Sequence, residues 1–256
     1  MTQEQIRRIA LRQSAMDLGC AAEDFLRAEP VVVLSRADAR ARKYLTLPFS
    51  CQLVSYGSNV VASVSPELKA PVLDYVNSYP AEHCFETPHL HVLNEALAPF
   101  GQKLCFMTEY FLPQLDALRP LPCPYELRLL DPDAFQTLYL PQWSNALCEK
   151  RKELDVLGVG AYDGGALVGF AGCSADCEDM WQIGVDVLPG WRRQGIAAAV
   201  TSRLALEILA HGKVPFYCAA WCNLPSVRNA LRSGFRPAWT EMTARPAAEV
   251  DGMNAR

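Results

Sequence analysis

The chain has 256 residues, 50% of them hydrophobic and 20% charged, and a net charge of −4. This is ordinary globular composition, enough for one large domain or two small ones. The slight acidity argues against nucleic acid as a partner, because proteins that neutralise many phosphates are usually basic. No apolar run approaches the ~18 residues needed to span a bilayer. The first residues, MTQEQIRRIALRQSAMDLG, lack the apolar segment of a secretion signal. A cytoplasmic protein without a membrane partner is expected, and its ten cysteines are expected to be reduced and mostly buried.

Residues 4–28 predict one helix, or two broken near Gly19, with Ile6, Ile9, Leu11, Met16 and Leu18 in a loose helical period. Residues 52–55 and 59–63 predict two strands around the turn Tyr56-Gly57-Ser58. Ser65 as N-cap and Pro66 at the first helical position open a helix with Leu68, Val72, Leu73 and Val76 on its apolar face. A further helix is expected over residues 91–98 and a buried strand over 103–110. Pro113, Pro120, Pro122 and Pro124 then exclude a continuous helix or central strand. A domain boundary is placed there, giving an N-terminal α/β domain over 1–120 and a second domain over 121–256.

Beyond the boundary the order is regular. Residues 126–130 predict a strand. Asp131-Pro132 caps and starts a helix that Pro141 interrupts, and a second helical piece covers 143–151. Strands over 155–162 and 166–174 flank the hairpin turn Asp163-Gly164-Gly165. A strand over 181–188 leads to a helix over 194–211 with Ile196, Val200, Leu204, Ile208 and Leu209 along one side. A strand over 215–221, a helix over 225–232 closed by Gly234 as a left-handed cap, and an extended piece over 235–243 complete the series.

The segment WQIGVDVLPGWRRQGIA is the most informative part of the chain. Its turn holds Arg192, Arg193, Gln194, Gly195, Ile196 and Ala197 between a strand and a helix. A helix N-terminus offers free backbone N–H groups, and two guanidinium groups stand beside it. Such a construction binds a pyrophosphate, and the arginines can fork onto phosphate oxygens.

Arg192-x-x-Gly195-x-Ala197 after a strand resembles the acyl-CoA signature of the GNAT acyltransferase superfamily, Arg/Gln-x-x-Gly-x-Gly/Ala. The element order β-α-α-β-β-β-α-β-α-β over residues 125–243 is similar to the GNAT fold. The wording around residues 171–239 resembles two-domain bacterial GNAT proteins of mostly unassigned substrate. The fold class implied is α+β, a mixed and mostly antiparallel sheet with flanking helices, preceded by the smaller α/β domain. The resemblance implies acetyl-CoA as co-substrate and a primary amine of a small molecule as acceptor, joined by direct transfer in a ternary complex. It implies that the backbone of Val185, Asp186 and Val187 pairs with the pantetheine arm and that residues 192–197 take the pyrophosphate. Asn223, with Ser226 three residues on, is expected to contact the CoA arm, and Asn223 also suits a helix N-cap. The N-terminal domain is expected to cover the acceptor side.

The catalytic groups are less defined. The tyrosine that many GNAT enzymes place before Gly-Phe is replaced here by Ala230. Tyr217, Ser226, Cys222 or water are the candidates for protonating the thiolate. Asp186 and Glu178 are the candidate amine bases, with Asp179 beside Glu178, since a partly desolvated carboxylate has a raised pKa. Glu178 and Asp179 also read as a solvated loop, and Asp155 and Asp176 could instead bind a cationic substrate. Trp181 and Trp221 could line the acceptor pocket or pack in the core. No metal is expected, although Cys173/Cys177 with Cys218/Cys222, and His83, Cys84, His89 and His91, have spacings compatible with one. Two other readings stay open: a CoA-binding regulator without turnover, motivated by Ala230, and a metal or redox protein built on the cysteines. The sequence gives no oligomeric state and leaves a homodimer open.

Overall fold

The computed structural model describes residues 1–255. In chain order it contains α1 (Gln3–Leu18), β1 (Val31–Leu34), β2 (Cys51–Ser55), β3 (Val61–Val64), α2 (Lys69–Ser78), α3 (Thr87–Leu97) and β4 (Gln102–Pro113). There follow β5 (Glu126–Leu130), β6 (Asp155–Asp163), β7 (Ala166–Ser174), β8 (Met180–Val187), α4 (Ile196–Ala210), β9 (Val214–Ala220), α5 (Leu224–Arg232), β10 (Phe235–Pro246) and α6 (Ala247–Asn254). Among the described residues no helix is long and apolar enough to cross a membrane.

The chain divides into two compact units, one of Met1–Ile9 with Phe111–Pro237, the other of Ala10–Tyr110 with the residues from Ala238 onward. The sequence expectation puts the change at 120/121. The structure puts it before the proline-rich connection, because those residues pack within the later unit. There Gln114 N donates to the Gly234 carbonyl at 2.8 Å, and the Ser202 hydroxyl bonds the Arg119 carbonyl. The chain then re-enters the earlier unit through β10.

In the earlier unit β1 pairs in parallel with β3, β3 antiparallel with β2, and β2 antiparallel with β10. Strand β1 is absent from the sequence reading. Its Val31–Leu34 run has no polar alternation to mark a face, and only pairing with β3 makes it a strand. Leu53, Ala62 and Val64 from these strands, with Val60 just before β3, meet Leu68, Val72, Val76, Leu93 and Leu97 in one buried cluster.

In the later unit β5, β6, β7 and β8 form an antiparallel series and β8 pairs in parallel with β9. One face carries α4, whose Ile196, Val200, Leu204 and Ile208 are all buried against Val159, Val168 and Ile183. Burying each such side chain contributes about 1.5–3 kcal/mol. The opposite face is covered by residues 131–154, and here the structure corrects the sequence. No α-helix forms; the segment holds three 3₁₀ turns, Pro132–Phe135, Pro141–Trp143 and Glu149–Leu154. Asp131 does cap its turn, accepting from Ala134 N at 3.2 Å. Pro132 and Pro141 start new turns rather than extend old ones, and the apolar residues Phe135, Trp143, Ala146 and Leu147 pack on Phe170 without a continuous helical stripe.

Candidate functional site

Strands β8 and β9 are paired over three residues only: Met180 with Val214, Trp181 with Pro215 and Gln182 with Phe216. Strand β8 continues to Val187 and β9 to Ala220. Residues 183–187 of β8 therefore present an edge that β9 no longer covers. Backbone N–H and C=O groups along such an edge accept an extended, amide-bearing chain as a further strand would be accepted. Alternation on β8 is clean. Trp181, Ile183, Val185 and Val187 pack into the core under α4, while Gln182, Gly184 and Asp186 face the other way.

The edge leads into the turn before α4. Arg193 has φ 66° and Gly195 φ 85°, so two of its residues are left-handed. A side chain added at Gly195 would meet no atom within 4 Å. Arg192, Arg193, Gln194 and Gly195 are exposed. Arg192 Nε donates to the Val187 carbonyl at 3.0 Å, and the Gln194 side chain accepts from the Tyr125 hydroxyl at 2.7 Å. Ile196 is 1% exposed. Its side chain sits where a Cβ on Gly169 would approach to 2.4 Å, which holds the helix N-terminus down on β7. The first N–H groups of α4 precede any intrahelical acceptor, and the two exposed guanidinium groups beside them make the turn cationic.

Asp186 accepts three hydrogen bonds from one stretch of chain: Asn145 N at 2.9 Å, Ala146 N at 3.1 Å and Asn145 Nδ2 at 2.6 Å. Glu178 and Asp179 are exposed, and Val214 N donates to the Asp179 carbonyl. Tyr217 is 4% exposed, and its hydroxyl lies 2.8 Å from Ser226 Oγ. Burial pushes the Tyr217 pKa up, against the opposing hydrogen bonds from Ser226 and Asn229, so the phenol keeps its proton. Asn223 caps α5 by accepting from Ser226 N at 3.3 Å. Ala230 is fully buried.

The remaining candidates lie apart from this arrangement or in the fold. Asp155 is buried at the start of β6, its Oδ2 accepting from the Tyr139 hydroxyl and Cys148 N, both at 3.1 Å; burial raises its pKa to about 6. Asp176 is buried and accepts from the Ser174 hydroxyl at 3.3 Å. Trp181 packs toward His211, whereas Trp221 is 49% exposed. None of the ten cysteines forms a disulfide, and Gln182 Nε2 lies 3.4 Å from Cys218 Sγ. Among the described residues no group of three or more His, Cys, Asp or Glu side chains could hold a metal ion; the His83 and His89 rings stack on each other at 5.5 Å.

The family model for GNAT acetyltransferase matches residues 100–239. The chain belongs to this family. Its α+β sheet and helices are the GNAT fold. Among solved structures, a GCN5-related N-acetyltransferase from Kribbella flavida is 16% identical, with 92% of this chain and 95% of that one covered and a TM-score of 0.52. A GCN5-related N-acetyltransferase-like protein from Streptococcus suis is 24% identical over 60% of this chain and 69% of that one, with a TM-score of 0.44. A GNAT-family acetyltransferase from Novosphingobium aromaticivorans is 17% identical, with 56% of this chain covered and a TM-score of 0.38. This chain spans 66% of that protein, just under two-thirds. No curated protein matches in sequence.

Sequence reasoning within the GNAT frame missed Asn145 and Gly184. A Cβ on Gly184 would lie 1.8 Å from the Asn145 carbonyl, and one on Gly172 2.3 Å from the Ala146 carbonyl. The two glycines are cross-strand partners. Two glycines spaced to pair across adjacent strands were the available signal.

Proposed function

We propose that this GNAT protein transfers an acetyl group from acetyl-CoA to the primary amine of a small molecule, in the cytoplasm, by direct attack in a ternary complex. The observation that carries the reading is the open β8 edge running into the cationic turn at the start of α4. Arg192, Arg193 and the amides of Gln194, Gly195, Ile196 and Ala197 hold the pyrophosphate. The backbone of Val185 and Val187 pairs with the amides of the pantetheine arm, and Asn223 and Ser226 flank its other side. A β8 amide directed at the thioester carbonyl supplies oxyanion stabilisation.

The amine nitrogen bonds to the acetyl carbon, the carbon–sulfur bond breaks, the thiolate takes up one proton and the amine gives up one. As Ser226 passes its proton to the thiolate it takes the proton of the hydrogen-bonded Tyr217 phenol, which regains one from solvent; this relay stands in place of the tyrosine absent at Ala230. Glu178 is solvated and can take the amine's proton through water.

Calorimetric titration with acetyl-CoA tests the reading. Wild type is expected to bind in the micromolar range, and Gly195→Glu to lose at least about tenfold in affinity by placing a carboxylate in the pyrophosphate position. Absence of binding by the wild type would reject the reading. The buried Ala230 favours one rival, a CoA-binding regulator without turnover; release of free CoA with any amine well above the spontaneous rate excludes it.

A further inference from the structure

Asp186, a half-exposed carboxylate, accepts two hydrogen bonds from Asn145 and one from Ala146. Both Asp186 oxygens are engaged, Oδ2 by two backbone amides and Oδ1 by the Asn145 carboxamide. The stretch that Asp186 holds lies flat on β8 because Gly172 and Gly184 leave no side chain beneath it. Their φ angles are not left-handed, so close approach and not backbone conformation demands glycine here.

Placement gives this clamp a function. Gly184 and Asp186 belong to the stretch of β8 that has left β9. One face of that stretch is closed by the core under α4, in which Ile183, Val200 and Tyr217 are buried. The other face of that stretch carries Asn145, which is exposed. Asn145 is exposed and spends its Nδ2 on Asp186, which leaves its Oδ1 as the hydrogen-bond acceptor of the carboxamide.

We infer that Asn145 is the acceptor-binding residue, taking an N–H of a primary amine on its carboxamide oxygen, and that Asp186 is a positioning residue that fixes which way that carboxamide faces. The inference rests on the acetyl-CoA reading above. A neutral amide oxygen suits the task. It orients the amine without favouring the ammonium form, as an unpaired carboxylate would, so the attacking lone pair stays available.

Acetyl-CoA binding by calorimetry and the initial rate of CoA thiol release separate the possibilities. The acceptors are n-butylamine, spermidine, tyramine and glycine ethyl ester, first mixed and then the fastest alone. Asn145→Ala is expected to raise the acceptor KM about three- to tenfold, the size of one lost neutral hydrogen bond, with kcat and acetyl-CoA affinity little changed. Asp186→Asn keeps an oxygen for the two backbone amides but sets an NH2 group against that of Asn145. The carboxamide must turn over, and the same rise in KM is expected. Should that variant fail to fold, Asn145→Ala still decides the matter.

An unchanged acceptor KM in Asn145→Ala would overturn the assignment. So would a large fall in kcat for Asp186→Asn with loss of the acid limb of the pH profile, which would make Asp186 the base. Wild type that binds acetyl-CoA yet acylates none of the amines would overturn the amine class. Wild type that binds no acetyl-CoA would reject the underlying reading, and this inference with it.

Discussion

Arg42 and the arginine pair of the 192–197 turn show two uses of the same side chain. The Arg42 side chain is 4% exposed. Its Nε bonds Asp17, its Nη2 lies 2.6 Å from Glu241, its backbone N donates to Asp17 at 2.9 Å, and its guanidinium lies over the Tyr110 ring at 5.3 Å. Glu241 also accepts from Trp239 Nε1 at 2.9 Å, and Asp17 from Gln13 Nε2 at 3.0 Å. Burial pulls the Arg42 pKa down, and the two carboxylates more than reverse that pull. Arg192 and Arg193 are exposed on a turn with left-handed backbone. A buried guanidinium needs partners from its own fold to offset desolvation; an exposed one keeps its donors for something that arrives later.

Breaking the buried side of this comparison has the largest expected effect. Arg42→Ala leaves Asp17 and Glu241 buried without their cation and should cost about 3–5 kcal/mol. Thermal unfolding reads it as a large fall in Tm. Arg42→Lys should recover only part of the loss, because an ammonium cannot reproduce the forked contact with two carboxylates. If Arg42→Lys equals the wild type, net charge and not geometry is what that cluster requires.

Gly184→Ala is the next step down. Its Cβ would lie 1.8 Å from the Asn145 carbonyl, so the 143–147 stretch must lift or β8 must bend. Overpacking of this kind costs about 1–3 kcal/mol. Faster hydrogen exchange at the Asn145 and Ala146 amides should accompany it, since their acceptor is Asp186. Gly190→Ala, which meets nothing within 4 Å, should change Tm little.

Asp155 holds the far end of the same covering segment through Cys148 N, and it carries a pH signature. Its folded pKa, about 6, stands above the ordinary value of 3.8 because of burial. The folded state therefore binds the proton more tightly than the unfolded one. That stabilisation is complete below about pH 3.8 and is lost as pH rises through about 6. It amounts to about 2–3 kcal/mol. Both hydrogen bonds to Asp155 fall on Oδ2, so Asp155→Asn can keep them. The variant should be as stable as the wild type or more so at pH 7.5, and its unfolding free energy should vary less between pH 4 and 7. A destabilised variant with an unchanged pH profile would show that the ionised form is the one the fold uses.

These contrasts also mark what a sequence can reveal. The turn before α4 was legible because its chemistry is local: two arginines, a glycine and a helix start lie within six residues. Strand β5 was legible end to end, and so was the Gly164-Gly165 hairpin. The covering segment was not. Its shape is set by Asp186 and Asp155, and Asp186 lies 41 residues from Asn145, so no local pattern announces the contact. Asp186 itself read as a candidate base because sequence shows a carboxylate on the right strand but not the donors that fill its acceptor positions. Asn223 carried two compatible readings, and its cap to Ser226 N answers only one of them.

The two turn arginines sharpen the comparison at its weak end. Arg193→Ala removes a charge that bonds nothing in the fold described above. Arg192→Ala also removes the bond to the Val187 carbonyl and should lower Tm slightly more. Each is expected to weaken acetyl-CoA binding about three- to tenfold at low salt, the scale of one partly exposed charge-assisted contact. The deficit should shrink near 0.5 M salt, where the screening length falls to roughly 4 Å. S-Acetylpantetheine, which lacks the pyrophosphate, provides the deciding control. If the arginines serve the phosphates, wild type and both variants bind that fragment equally. If the variants lose as much affinity for the fragment as for acetyl-CoA, the arginines act by shaping the β8 edge, and the turn belongs with Arg42 among residues whose charge serves the fold.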